Sequence, residues 1–177
     1  DVVRRELHSQ LAPYRRQHRE VRWTRPETWH LTLLFLGSVD PGKVGLLERT
    51  LASVAARGMP YEVRVDAGGG HTGGGRSRRG EGVAWLGLST GADKLIEVAD
   101  LVAAACPPDI TSGPSPRRTR SAHLTLVRKA DEAVVQALRT QAHGPLGVGW
   151  VADCIELVRS HLGRGGARYE TVLQATL

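Results

Sequence analysis

An α+β chain of two similar halves is the fold class the sequence predicts, and three observations predict it. The tetrapeptide His-Leu-Thr-Leu occurs twice, at His30–Leu33 and at His123–Leu126, roughly half the chain apart. Each copy is followed by a helical pattern and then by further strand patterns. Short strands mixed with isolated helices favour α+β over a doubly wound parallel sheet. The pattern fits one two-lobed domain over residues 1–177, a pseudo-twofold whose two antiparallel sheets line a central cleft with helices outside.

Along the chain, Val2 to about Arg19 carries apolar positions among Arg, Gln and Glu, an amphipathic helix with Pro13 as a flaw inside it. Val21–Thr24 alternates as a strand and Arg25-Pro26-Glu27 breaks it. Trp29–Leu36 is predicted as a strand, with Trp29, Leu31, Leu33 and Phe35 on a core face and His30, Thr32, Leu34 and Leu36 on the other. Asp40-Pro41 opens a helix by N-cap and first-turn chemistry, and it runs through Val44, Leu47, Leu51 and Val54 to Gly58. Tyr61–Val65 alternates as a strand. Gly68–Gly82, rich in Gly and Arg and including His71, Arg76, Arg78 and Arg79, is predicted as a mobile basic loop.

Val83–Leu88 is the next strand. Asp93–Cys106 is a helix with Leu95, Val98, Leu101 and Val102 inward. Pro107–Arg120 is a loop that delivers Arg117, Arg118 and Arg120 to the second His-Leu-Thr-Leu strand. Asp131–Ala142 is a helix. Trp150–Val158 and Arg168–Leu177 are the closing strands. Trp23, Trp29, Trp85 and Trp150 all sit in apolar alternation and are assigned to the core.

The chemistry begins with the repeat. On a strand, residues i and i+2 point to one face, so each copy presents an imidazole beside a hydroxyl. Two such pairs facing each other offer two acid/base groups and two hydroxyls, a set suited to phosphodiester chemistry without a metal or other cofactor. With this composition the repeat arises by chance in roughly a few of 10⁵ shuffled chains. The 177 residues carry net charge +6 and a pI near 10.0, which favours an anionic partner. Cys106 and Cys154 are far apart and not in a C-x-x-C spacing, which argues against a disulfide framework or a zinc site and for a reducing cytoplasm. No apolar run approaches a membrane span, and the start lacks the apolar stretch of a signal peptide. His8, His18, His71 and His143 show no metal-ligand spacing, and His161 reads as a surface histidine.

At these residues the chain resembles the two-histidine (2H) phosphoesterase superfamily, whose signature is a pair of H-x-T-x motifs. Within it the likeness is to bacterial and archaeal RNA 2′,3′-cyclic phosphodiesterases, also called 2′-5′ RNA ligases. The resemblance runs through Trp29–Gly37, Val83–Gly87, His123–Arg128 and Leu157–Tyr169, in the family's order. Three departures accompany it. The chain opens inside what the family places as its first helix, so a preceding apolar strand is expected to be missing. Ala122 stands where the family has Pro, and Gly68–Gly82 lacks the family's usual Phe.

The resemblance implies metal-independent hydrolysis of RNA 2′,3′-cyclic phosphate ends to 2′-phosphates, with reversible 2′-5′ RNA ligation as an accompanying activity. It implies His30 as proton donor to the leaving 3′-oxygen, His123 as proton acceptor from water, and Thr32 and Thr125 as donors to the phosphate oxygens. The residues alone leave open which histidine is acid and which is base. Two imidazoles suit the task because their ordinary pKa lies near neutrality. Arg128 fits the family's phosphate-binding position, yet on a regular strand it faces away from His123 and Thr125. It reaches them only if the strand ends or bulges there. The implied partner is RNA with a cyclic phosphate end, or a nucleotide, bound to a monomer. The rival readings are a 2H enzyme for a small cyclic nucleotide or 2′-5′ oligonucleotide, and a basic RNA-binding protein without turnover.

Overall fold

The computed structural model describes residues 2–71, 82–110, 117–119, 121–163 and 166–177. In chain order its regular elements are α1 (Val2–Gln10), α2 (Ala12–Gln17), β1 (Arg22–Trp23), β2 (Leu34–Phe35), α3 (Val44–Ala55), β3 (Tyr61–His71) and β4 (Gly82–Thr90). They continue with α4 (Ala92–Ala105), β5 (Arg117–Arg118), β6 (His123–Ala130), α5 (Glu132–Arg139), β7 (Val148–Ala152), β8 (Cys154–Gly163) and β9 (Gly166–Thr176). The α+β class holds. Two compact units make up the chain, each gathered from three separate stretches. Asp1–Leu31, Val63–Gly91 and His123–Trp150 form the first, and Thr32–Glu62, Ala92–Ala122 and Val151–Leu177 the second. These are not the sequence halves that the repeat suggests, because both His30 and His123 belong to the first unit.

The first unit is built on a five-stranded sheet of order β1-β6-β4-β3-β7. Its core joins Leu7, Leu11 and Tyr14 of the N-terminal helices to Ala84 and Leu86 of β4, Leu124 and Leu126 of β6, and Val134, Val135 and Leu138 of α5. The helix expected to run from Val2 to Arg19 is two. Pro13 occupies the first turn of α2, where its missing N–H would have had no partner, so the flaw becomes a helix start. Asp131 caps α5 by accepting a hydrogen bond from the Val134 amide at 2.9 Å.

The glycine-rich stretch departs from the loop reading. β3 continues through Gly68, Gly69 and Gly70 to His71, paired with Val83–Leu86 of β4. A Cβ on Gly68 would run into the Leu138 carbonyl of α5. One on Gly70 would lie 2.6 Å from the Val83 oxygen and 2.8 Å from a Val135 methyl. The glycines let a helix lie directly on the strand, and Arg139 Nη2 donates to the Gly70 carbonyl at 2.7 Å. Arg76, Arg78 and Arg79 lie outside the described residues.

In the second unit, β2 pairs antiparallel with β5, and β8 with β9 as a long hairpin. Its core is Leu51, Val54 and Ala55 of α3, Val102 of α4, Ile155 of β8 and Ala175 of β9. Asp40 accepts from the Gly42 amide at 2.9 Å and opens a 3₁₀ turn, Pro41–Lys43, that leads into α3. Three expectations shift here. Leu101 is 51% exposed because the buried stripe of α4 is Leu95, Ala99 and Val102, and Leu101 lies well round the helix from it. Phe35 is 62% exposed because the chain bends at Leu33, so the alternation begun at Trp29 does not carry through. The strand expected over Trp150–Val158 is divided at Asp153 between β7 and β8. Among the described residues, no helix is long and apolar enough to cross a membrane.

Candidate active site

The site is assembled on β6. Along one edge of that strand β1 pairs Arg22 with Arg128 and Trp23 with Val127. The chain then lifts off in a 3₁₀ turn, Pro26–Thr28, and rejoins the edge through a single antiparallel bridge between Leu31 and Leu124. This is why the strand expected over Trp29–Leu36 shrinks to one bridge and the two residues of β2.

Thr24 ties the detour shut. Its amide donates to the Leu126 carbonyl at 2.7 Å, and its hydroxyl lies 3.0 Å from the carbonyls of both Thr125 and Leu126. The same hydroxyl accepts from the indole N–H of Trp29 at 2.9 Å, and Trp29 is buried at 6% exposure. One side chain thus locks the segment carrying His30 to the strand carrying His123. Sequence reading passed over Thr24 because a lone threonine carries no motif. Thr24→Val keeps the shape and leaves the Trp29 indole N–H without its acceptor. The expected result is a loss of about 1–3 kcal/mol in denaturant unfolding, together with a fall in turnover.

The bridge fixes where the two imidazoles point. In an antiparallel bridge the paired residues share a face and their neighbours take the other. Leu124 is buried at 4% exposure and Leu31 packs against the core. His30 and His123, each one residue earlier, therefore leave from the opposite face. Thr125, one residue past Leu124, lies on that face too. His30 is exposed and His123 half-buried. Nδ1 of His30 sits 2.8 Å from the Thr28 carbonyl, a contact that only an Nδ1–H can make as a hydrogen bond. That tautomer assigns proton exchange to Nε2.

Arg128 comes to the same face through a bulge. β4 pairs Trp85 with Thr125 and Ala84 with Val127, so Leu126 is an extra residue in β6. Leu126 and Val127 are consecutive yet both fully buried, and Arg128 after them is exposed. The alternation slips by one, which returns Arg128 to the side of His123 and Thr125. A second slip falls at Lys129, with φ of 67°, just before the strand's last residue, Ala130, pairs with Gly82.

Thr32 is the first residue of the second unit and is half-buried. Arg118 is exposed and ion-paired with Asp100 at 2.7 Å, whereas Arg120 lies outside the described residues. His161 belongs to the β8–β9 hairpin, where its Nε2 lies 2.8 Å from Glu170 and, with Arg159, holds that carboxyl below the usual carboxylate range. His18 is buried, and His143 meets Gln17 at 2.6 Å. Of the tryptophans only Trp29 is fully buried, and Trp23, Trp85 and Trp150 are partly so. Among the described residues, no three His, Cys, Asp or Glu side chains gather as a metal site.

The LigT-like phosphoesterase family model matches residues 2–72. An RNA 2′,3′-cyclic phosphodiesterase of Geobacillus stearothermophilus is 36% identical over 108 residues, 60% of this chain and 32% of that protein. One of Aquifex aeolicus (strain VF5) is 29% identical over 82 residues, 46% of this chain and 42% of that protein. The matched stretches thus span about a third and two-fifths of those relatives' own lengths. The crystal structure of E. coli LigT complexed with 3′-AMP superposes with a TM-score of 0.70 at 25% identity, covering 97% of this chain and 91% of that one. In the matched stretches and in fold, the chain is thus similar to the LigT-like phosphoesterases.

Proposed function

We propose that the protein hydrolyses RNA 2′,3′-cyclic phosphate ends to 2′-phosphates without a metal ion. The observation that carries this is the single face of β6 and its bridged edge, from which His30, His123, Thr125 and, through the bulge, Arg128 all project. The curated relatives named RNA 2′,3′-cyclic phosphodiesterase support it.

In this mechanism His123 takes a proton from water as the water oxygen attacks phosphorus. The bond from phosphorus to the 3′-oxygen breaks, and His30 delivers its Nε2 proton to that oxygen. The product carries a 2′-phosphate and a free 3′-hydroxyl. The Thr28 carbonyl, accepting from Nδ1–H, fixes the His30 ring and leaves Nε2 to exchange the proton. Thr125 and Thr32 donate to the non-bridging oxygens, and Arg128 offsets their charge. With a 5′-hydroxyl attacking in place of water, the same groups open the cyclic phosphate into a 2′-5′ bond with no nucleotide cofactor.

A second reading keeps these groups and changes the substrate to a small nucleotide. The 3′-AMP held by E. coli LigT favours considering it. Cys106 and Cys154, both free thiols, suit a reducing cytoplasm.

The deciding experiment is incubation of a nucleoside 2′,3′-cyclic phosphate, and of a short RNA bearing the same end, in EDTA. Full turnover to 2′-phosphate is expected on the RNA. A 3′-phosphate product would reverse the orientation, and strict need for a divalent ion would sink the metal-free mechanism. Turnover of the mononucleotide alone would favour the second reading.

A further inference from the structure

Trp85 stands at the centre of a row of rings across three strands. Its indole centroid is 5.7 Å from the imidazole of His123 on β6, tilted by 57°, and 5.9 Å from that of His71 at the end of β3, near edge-on at 62°. Both separations lie within the range where ring pairs attract. The register explains the placement. Trp85 pairs with Thr125 on one side and with Gly69 on the other, so it shares the face of Thr125 and His123 and lies diagonal to both histidines. The partner at Gly69 has to be small: a Cβ there would lie 2.9 Å from Nε1 and 3.2 Å from Cε2 of the indole. An indole is rigid, so it would have to move as a whole.

We propose that Trp85 is a positioning residue for His123, holding its imidazole in the attitude that proton transfer needs, with Gly69 as the gap that admits the indole and His71 bracing its outer side. The sequence assigned Trp85 to the core, yet it is only half-buried and its neighbours on this face are ionisable rings. An imidazole stands on each of its flanks. The role in turnover rests on the cyclic phosphodiesterase reading; the contact with His123 does not.

The test uses Trp85→Leu, Trp85→Phe and Gly69→Ala in the full chain. Trp85→Leu should lower kcat about 10- to 100-fold, the scale of a misplaced reacting group, with KM unchanged. Trp85→Phe should recover most of the loss. Gly69→Ala should reproduce part of it with the tryptophan still present. In parallel, the imidazole proton resonances of His123 should carry an indole ring-current displacement that Trp85→Leu abolishes and Trp85→Phe partly keeps. That signal does not depend on activity, so it separates failure of this proposal from failure of the substrate reading. A folded Trp85→Leu protein with unaltered kcat, a defect confined to KM, or His123 resonances indifferent to the substitution would each overturn the proposal. If Trp85→Leu does not fold, Gly69→Ala and Trp85→Phe decide it by the same readouts.

Discussion

His30→Ala and His123→Ala should each remove about 10²- to 10⁴-fold of turnover on a cyclic phosphate, the worth of one positioned proton transfer. His30 is exposed and His123 half-buried, so neither truncation opens a core cavity, and thermal unfolding should move little. The double variant should cost far less than the product of the two single losses. With one proton transfer gone the other no longer acts in concert, and groups that work as a unit are not additive. Single-turnover assays of all three variants beside circular dichroism measure this. A folded His30→Ala protein with parental kcat would remove His30 from the mechanism, and multiplicative losses would show that the histidines act independently.

Gly68→Ala should produce the largest stability effect of a methyl added at any of the described glycines. The new Cβ would meet the Leu138 carbonyl, and its own Cβ at 2.6 Å, on the helix that covers the sheet. Backbone cannot swing aside as a flexible side chain can. Relief requires α5 to lift from β3, which also strains the Arg139 bond to the Gly70 carbonyl. A loss at or above the usual overpacking range of about 1–3 kcal/mol is expected. Gly45→Ala is the control of opposite sign. Gly45 lies within α3, and a Cβ there meets nothing nearer than Arg49 Nη1 at 3.7 Å. Stability should rise by about 0.4–1 kcal/mol, because alanine gives the unfolded chain less entropy to lose. Denaturant midpoints at constant slope read both, and equal effects at the two glycines would refute the packing argument.

What was legible in the sequence follows the range of the forces involved. The start at Asp40 and the helix and strand patterns behind the α+β class could be read because each depends on residues within a few positions. The glycine-rich run was misjudged because composition records the freedom of Gly68–Gly70, while their use is set by α5, more than sixty residues away. The first His-Leu-Thr-Leu string was given a full strand because alternation is blind to the Pro26–Thr28 turn and to the bend at Leu33. Arg128 was the instructive case. Its wrong-facing position on an ideal strand was a sound deduction, and the bulge that corrects it is visible only as two consecutive buried residues, Leu126 and Val127. Thr24 had no signature at all, since its value lies in acceptors about a hundred residues downstream.

The interleaving of the two units has a practical consequence. Each is written in three instalments, and the chain passes between them at five points. Any cut between Thr32 and Trp150 divides both units, so a stop codon or a protease nick there leaves neither whole. The natural partners for reconstitution are therefore complementary halves of the polypeptide, each contributing pieces to both units, rather than two separately expressed lobes. For the same reason inheritance by gene shuffling would have to carry the entire stretch at once. The smallest piece that carries both units is the whole interlaced chain.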